Sequence, residues 1–236
     1  MTNRLQKPYV LIQAEDPEAV SRWLCRELFF TPTENGDVRN GNCTLRLIRG
    51  AVQAEGTLPA GAYRTGLAHV ALAAHDIREA LKSCQERGLS LQTADGESFF
   101  NPGAFGRGEL YFNIKTPFGF TVEVAMRVEQ PCDRGPAPIW GLDHLGVPCA
   151  DFAQEKAALE TCGFVPLFAP VLNENPAEGR IRCGMLSDGA LTLEVYQFLD
   201  QRPTPMESGS PLRGVGGYPG FTTPGGLRFL REGATS

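Results

Sequence analysis

A strand–aspartate–helix pattern recurs three times in this chain and restricts its fold more than any other feature. "YVLIQAED" (9–16), "HVALAAHD" (69–76) and "HLGVPCAD" (144–151) each place an aspartate seven residues after the start of an apolar run. Helical periodicity follows each aspartate. After Asp16 and Pro17, the apolar residues Val20, Leu24 and Leu28 recur at i, i+4 and i+8, which gives a capped helix one buried face. After Asp76 the face is Ile77, Ala80, Leu81 and Cys84, stopped by Gly88, and the helix after Asp151 stops at Gly163. Strand-like text closes each copy: "NCTLRLIRG" (42–50), "ELYFNIKTPFGFTVEVAM" (109–126) and "RIRCGMLSDGALTLEVYQF" (180–198). Turns at 116–119 and 187–189 split the last two into pairs of strands. The unit reads βαβββ, about 50–60 residues long. Its helix covers one sheet face, and the other face is left to line a concavity.

The expected fold class is α+β, built from repeated βαβββ modules. Residues 1–128 hold two of them, a degenerate one at 8–50 and a fuller one at 66–127. A Pro-rich linker at 129–139 leads to a third module at 140–198. Residues 199–236 form a Gly/Pro-rich C-terminal arm, too short for a fourth full unit. It is expected to be irregular, with a strand or helical turn near Leu227–Leu230. "GVGGYPG" within it lacks the preceding strand and following helix that a phosphate-cradling loop needs.

Composition narrows the class of function. A net charge of −5 and the absence of any Lys/Arg run leave no footprint for nucleic acid or a membrane surface. No apolar stretch approaches the roughly 20 residues of a membrane span, and the N-terminal text turns acidic too early for a signal peptide. Seven scattered cysteines without a CxxC read as reduced thiols, so the expected location is cytoplasmic.

The chain has only three histidines. His69 and His144 open the second and third copies, where Tyr9 opens the first. A lone acid interrupts the last strand of the same two copies: Glu123 in "FTVEVAM" and Glu194 in "LTLEVYQF", 54 and 50 residues after their histidines. The first copy has Arg46 near that place. A carboxylate in apolar strand text is costly to bury unless it is paired or coordinated. Histidine on a first strand and glutamate on a last strand can meet across the open face of one sheet. Two such modules about a pseudo-twofold would gather up to four N/O ligands, a set suited to Zn, Ni, Mn, Fe or Co. Tyr111, Arg182 and Tyr196 are candidate pocket residues, and His75 reads as an exposed residue at a helix entry.

The residues "GLAHVALAAHD…TPFGFTVEV" and "GLDHLGVPCAD…LTLEV", with weaker support from "YVLIQAEDPEAV", resemble the vicinal oxygen chelate superfamily over about residues 8–198. That superfamily includes glyoxalase I, fosfomycin and bleomycin resistance proteins and extradiol dioxygenases. The resemblance implies a divalent metal held by His69, Glu123, His144 and Glu194. It also implies a small substrate bound through two vicinal oxygens, and a homodimer is expected. For isomerase or lyase chemistry, Glu194 is read as a fixed ligand and Glu123 as the proton shuttle. For a dioxygenase, His69, His144 and Glu194 would hold Fe(II). The alternative is a metal-free binding or drug-sequestering protein of the same fold.

The superfamily uses even numbers of modules, and this chain shows three. Modules one and two could pair, leaving a site with His69 and Glu123 alone. Modules two and three could pair instead, which would assemble all four residues. The sequence leaves both open, and it names no substrate.

Overall fold

Each of the three aspartates caps a helix. The structure, a computed structural model, describes residues 7–52, 58–105, 107–133, 135–175, 179–205 and 210–231. Asp16 accepts from the Ala19 N–H at the start of α1 (Pro17–Leu28), and Asp76 accepts from Arg78 and Glu79 at the start of α2 (Ile77–Glu86). Asp151 accepts from Ala153 and Gln154 at the start of α3 (Phe152–Thr161). These bonds satisfy backbone donors that a helix start leaves open. His75 is exposed before its cap, its Nδ1 2.8 Å from the Cys132 carbonyl oxygen.

The first unit reads βαβββ as the repeat implies, and the second and third each carry one short strand more. The first unit contains β1 (Tyr9–Ala14), β2 (Thr31–Pro32), β3 (Val38–Asn40) and β4 (Cys43–Arg49), and a short β5 (Ala62–Arg64) follows it. The second contains β6 (His69–Ala74), β7 (Leu91–Gln92), β8 (Phe99–Asn101), β9 (Glu109–Lys115) and β10 (Thr121–Arg127). The third contains β11 (Ile139–Pro148), β12 (Val165–Pro166), β13 (Val171–Asn175), β14 (Gly179–Ser187) and β15 (Thr192–Phe198). After β16 (Arg202–Thr204), which pairs with β5, the C-terminal segment adds β17 (Leu212–Gly216), β18 (Phe221–Thr222) and β19 (Arg228–Leu230).

In every unit the first and last strands lie side by side and parallel: β1 with β4, β6 with β10, β11 with β15. Units then join antiparallel through their first strands. β6 pairs with β11, so units two and three share one ten-stranded sheet. The first unit joins the C-terminal segment, because β1 pairs with β17 in a seven-stranded sheet. The arm is therefore not irregular. Its β17 and β19 run parallel, as first and last strands do elsewhere, and its described residues hold strands and no helix. The two sheets in space do not follow the division of the chain at the 129–139 linker.

Alternation along the first strands separates core from concavity. Val70, Leu72 and Ala74 of β6, with Leu145 and Val147 of β11, enter one hydrophobic core that also takes residues of all three helices and both sheets. The residues between them, His69, Ala71, His144 and Gly146, face the other way. Helix α3 also holds the arm in place. Glu155, 1 % exposed, accepts the Gly225 N–H at 2.6 Å, and Phe164 stacks on Tyr218. Glu155→Ala leaves that N–H without its partner, so a loss of about 1–3 kcal/mol is expected, read as a lower urea midpoint at unchanged slope. An unchanged midpoint would mean the arm is held by its aromatic contacts alone.

Candidate metal centre

The junction of β6 and β11 brings the four sequence candidates together. Across three adjacent strands, Glu194 of β15 stands opposite Gly146, and Gly146 stands opposite His69. In the mirrored row, Glu123 of β10 stands opposite Ala71, and Ala71 stands opposite His144. Each row reads glutamate, small residue, histidine. The small residue lets the two larger side chains on either side lean inward over it.

The donor atoms converge. His69 Nε2 lies 3.4 Å from His144 Nε2. Glu123 Oε1 is 3.3 Å from His144 Nε2, and its Oε2 is 3.9 Å from His69 Nε2. Glu194 Oε2 is 3.7 Å from both Nε2 atoms. Ligands held about 2.0–2.2 Å from one ion stand about 3–4 Å from each other. His69, His144 and Glu194 offer atoms all within 4.8 Å of one another and suit a common ion, with the two oxygens of Glu123 each facing one of the rings. Two imidazole nitrogens face each other at hydrogen-bond range beside two carboxylates, and such a set is costly to bury unless a proton or a cation sits among them. The residues present fit a divalent metal.

A further layer, not foreseen from the sequence, orients the site. His144 Nδ1 lies 3.0 Å from Asp143 Oδ1, and Arg127 donates to the same oxygen at 3.1 Å. Neighbours in a regular strand point to opposite faces. Here the register slips between Leu142 and His144, and this bulge sets Asp143 beside the ring that follows it. A carboxylate on Nδ1–H keeps the Nε2 lone pair directed into the site. Glu109 of β9, 2 % exposed, brings its Oε1 within 3.9 Å of His144 Nδ1, and that oxygen has no hydrogen-bond partner among the described residues. The Cys183 thiol donates to Glu194 Oε1 at 3.4 Å. The only sequence hint was "GLDHL" against "GLAHV": an acid precedes one histidine and not the other.

Burial sets the protonation. It holds His69 down at about 4, against the raising pull of Glu123. Burial would lower His144 too, but the hydrogen bonds to Asp143 and Glu123 outweigh it and raise that imidazole well above its usual value. Glu194 is pushed up to about 7 by burial, with His144 pulling the other way. Burial likewise raises Glu109.

The cluster floors a cleft of about 450 Å³ whose lining includes His69, Glu123 and Glu194. Tyr111 and Tyr196 line it, the Tyr196 ring stacked 6.3 Å from His69. Arg182 does not. On β14 the cleft takes Ile181 and Cys183, and strand alternation turns Arg182 to solvent. In the other sheet, Tyr9 and Arg46 occupy the places of His69 and Glu123. Arg46 lies 3.8 Å from the Tyr9 ring centre and pairs with Asp37 at 3.2 Å. Gly214 and Leu230 occupy the remaining two places, so that half lacks the donor set.

No protein-family model and no curated relative matches the sequence. Solved structures do. Glyoxalase I from Zea mays superposes with a TM-score of 0.62 at 14% identity, over 94% of this chain and 90% of its own. A candidate dioxygenase from Bacillus subtilis strain 168 gives 0.52 at 12% identity, over 88% of this chain and 68% of its own. The fold is that of glyoxalase I. At such identities the likeness is one of architecture. Within this architecture, the histidine–glutamate pairs lie in one sheet and Tyr9 with Arg46 in the other. No helix among the described residues is long and apolar enough to cross a membrane.

Proposed function

We propose that the protein is a divalent-metal-dependent enzyme that acts on a small molecule through two adjacent oxygens. The observation that carries this reading is the convergence of His69, His144, Glu123 and Glu194 donor atoms at 3.3–3.9 Å, with His69, Glu123 and Glu194 lining a cleft and His144 buried beneath it. Two imidazoles and two carboxylates suit Zn, Ni, Mn, Fe or Co, and when bound such an ion supplies Lewis acidity. The protein's own groups supply the proton transfer. Glu194 is pinned by the Cys183 thiol and serves as a fixed ligand, whereas Glu123 shuttles a proton at its carboxylate oxygen. Asp143 holds the His144 tautomer throughout.

A dioxygenase reading has one specific observation in its favour. His69, His144 and Glu194 offer ligand atoms all within 4.8 Å of one another, the two-histidine, one-carboxylate set of non-haem iron sites. Metal analysis of protein purified without a histidine tag or chelator tests the shared claim. Near-stoichiometric metal supports an enzyme, and iron with oxygen consumption selects the dioxygenase. Protein free of metal, with no affinity for any of the five ions, would leave the metal-free binding or drug-sequestering protein of the same fold.

The protonation states add a pH test. A group whose pKa is raised holds its proton below that value, and metal must displace it. With Glu194 at about 7 and His144 also raised, metal uptake at pH 6.5 is expected to release about one proton or more, and affinity should fall as the pH drops further. Calorimetry in buffers of different ionisation enthalpy measures this. Uptake without proton release would contradict the assigned states.

A further inference from the structure

The walls of the cleft carry information about what enters it. Four carboxylates line the space, Glu109, Glu123, Glu174 and Glu194, and no lysine or arginine does so among the described residues. The arginines nearby in sequence are committed elsewhere: Arg127 to Asp143 and the Phe105 face, Arg180 to Asp200. A cleft walled by one sign of charge repels ions of that sign and concentrates the other. Burial favours the neutral forms of Glu109 and Glu194, so the four do not all carry charge, but the lining offers no basic side chain to pair with a phosphate or carboxylate group.

The apolar part of the lining is aromatic and comes from both units. Phe99 stacks on Tyr111 at 5.2 Å on one side, and Tyr196 meets Phe198 edge to face at 5.5 Å on the other. Phe100, also in the lining, is 55% exposed. Asn101, Asn113 and Asn173 add neutral amides to the lining, with Asn173 donating to Asn101 Oδ1 at 2.9 Å. Aromatic pairs favour a planar guest, in stacked or edge-on contact, and can also hold a cation.

We infer that this cleft takes an aromatic compound without negative charge, held between the Phe99–Tyr111 and Tyr196–Phe198 pairs, and rejects anionic analogues of the same shape. The inference rests on reading the cleft as the substrate site, but not on the metal. Thioester and peptide conjugates that carry phosphates or carboxylates fall outside it.

Matched indoles test it: indole, tryptamine and indole-3-acetate differ in charge while sharing a ring. Their binding is to be measured by calorimetry on metal-loaded protein and again after chelator treatment. Indole and tryptamine are expected to bind at least tenfold more tightly than indole-3-acetate. Tyr196→Ala should weaken indole several-fold at unchanged thermal midpoint. Glu174→Lys, on the exposed rim, should narrow the penalty on indole-3-acetate and leave indole unaffected. Indole-3-acetate binding as well as indole in wild type, or indole binding untouched by Tyr196→Ala, would overturn the inference. Selection that persists in protein unable to hold metal would uphold it while the metal reading fails.

Discussion

Replacing either His69 or His144 with alanine is expected to take bound metal from near-stoichiometric to near zero. The two rings come from different units, yet their Nε2 atoms are 3.4 Å apart and share both glutamates as neighbours. Loss of a supporting group is milder: Asp143→Ala removes the carboxylate on Nδ1, and outer partners of this kind are worth about 10–100-fold in metal affinity. Mass spectrometry of the purified variants gives the answer, with circular dichroism to confirm folding. His69→Ala is the cleaner variant. His144 is wholly buried against Asp143, Glu109 and Glu123, and its removal leaves carboxylates without their partner. Metal lost in one variant and kept in the other would mean that the rings serve separate sites.

Gly146→Ala is expected to be nearly as damaging to the site while leaving the fold in place. A methyl group there would come within 2.0 Å of His69 Cε1 and 2.3 Å of both ring nitrogens. The ring lies directly over the glycine, and it must swing away to admit any side chain. Because the core-facing neighbours Leu145 and Val147 are unchanged, thermal stability should move little while metal affinity falls by about 100-fold or more, comparable to or beyond the loss of an outer partner. The equivalent slot beside His144 already carries Ala71, next to the bulged segment, so Ala71→Gly should change affinity little. The contrast between the two substitutions separates a steric effect on His69 from general loosening of the strands. Equal metal affinity in Gly146→Ala and wild type would show that His69 does not need to cross β11.

Gly146 also shows where sequence reasoning stopped. "HLGV" was legible as the start of a strand, and alternation placed the glycine on the same face as His144. Nothing local said that a histidine from 77 positions earlier would lie across it. The same holds for Asp143, whose aim depends on a register slip between two strands that meet only in the folded chain. Glu109 was hidden in ordinary strand text, because its significance is its depth beside His144 and not its neighbours in sequence. Arg182 was misplaced for a simpler reason. Without the register of β14 against β15, either face of the strand could have been the inner one.

Sequence alone determined what short-range chemistry controls. Aspartate caps, apolar periodicity and turn residues act within a few positions, so they specified three capped helices flanked by strands and matched His69 with His144 and Glu123 with Glu194. Tertiary structure decided which units became partners. Every unit presents a similar first-strand edge, and backbone hydrogen bonds along such an edge do not name their partner. The choice falls to side chains that meet only after folding: Glu155 and Phe164 holding the arm, which supplies β17 to β1, and the small residues Ala71 and Gly146 where β6 meets β11. That choice puts both histidines in one site.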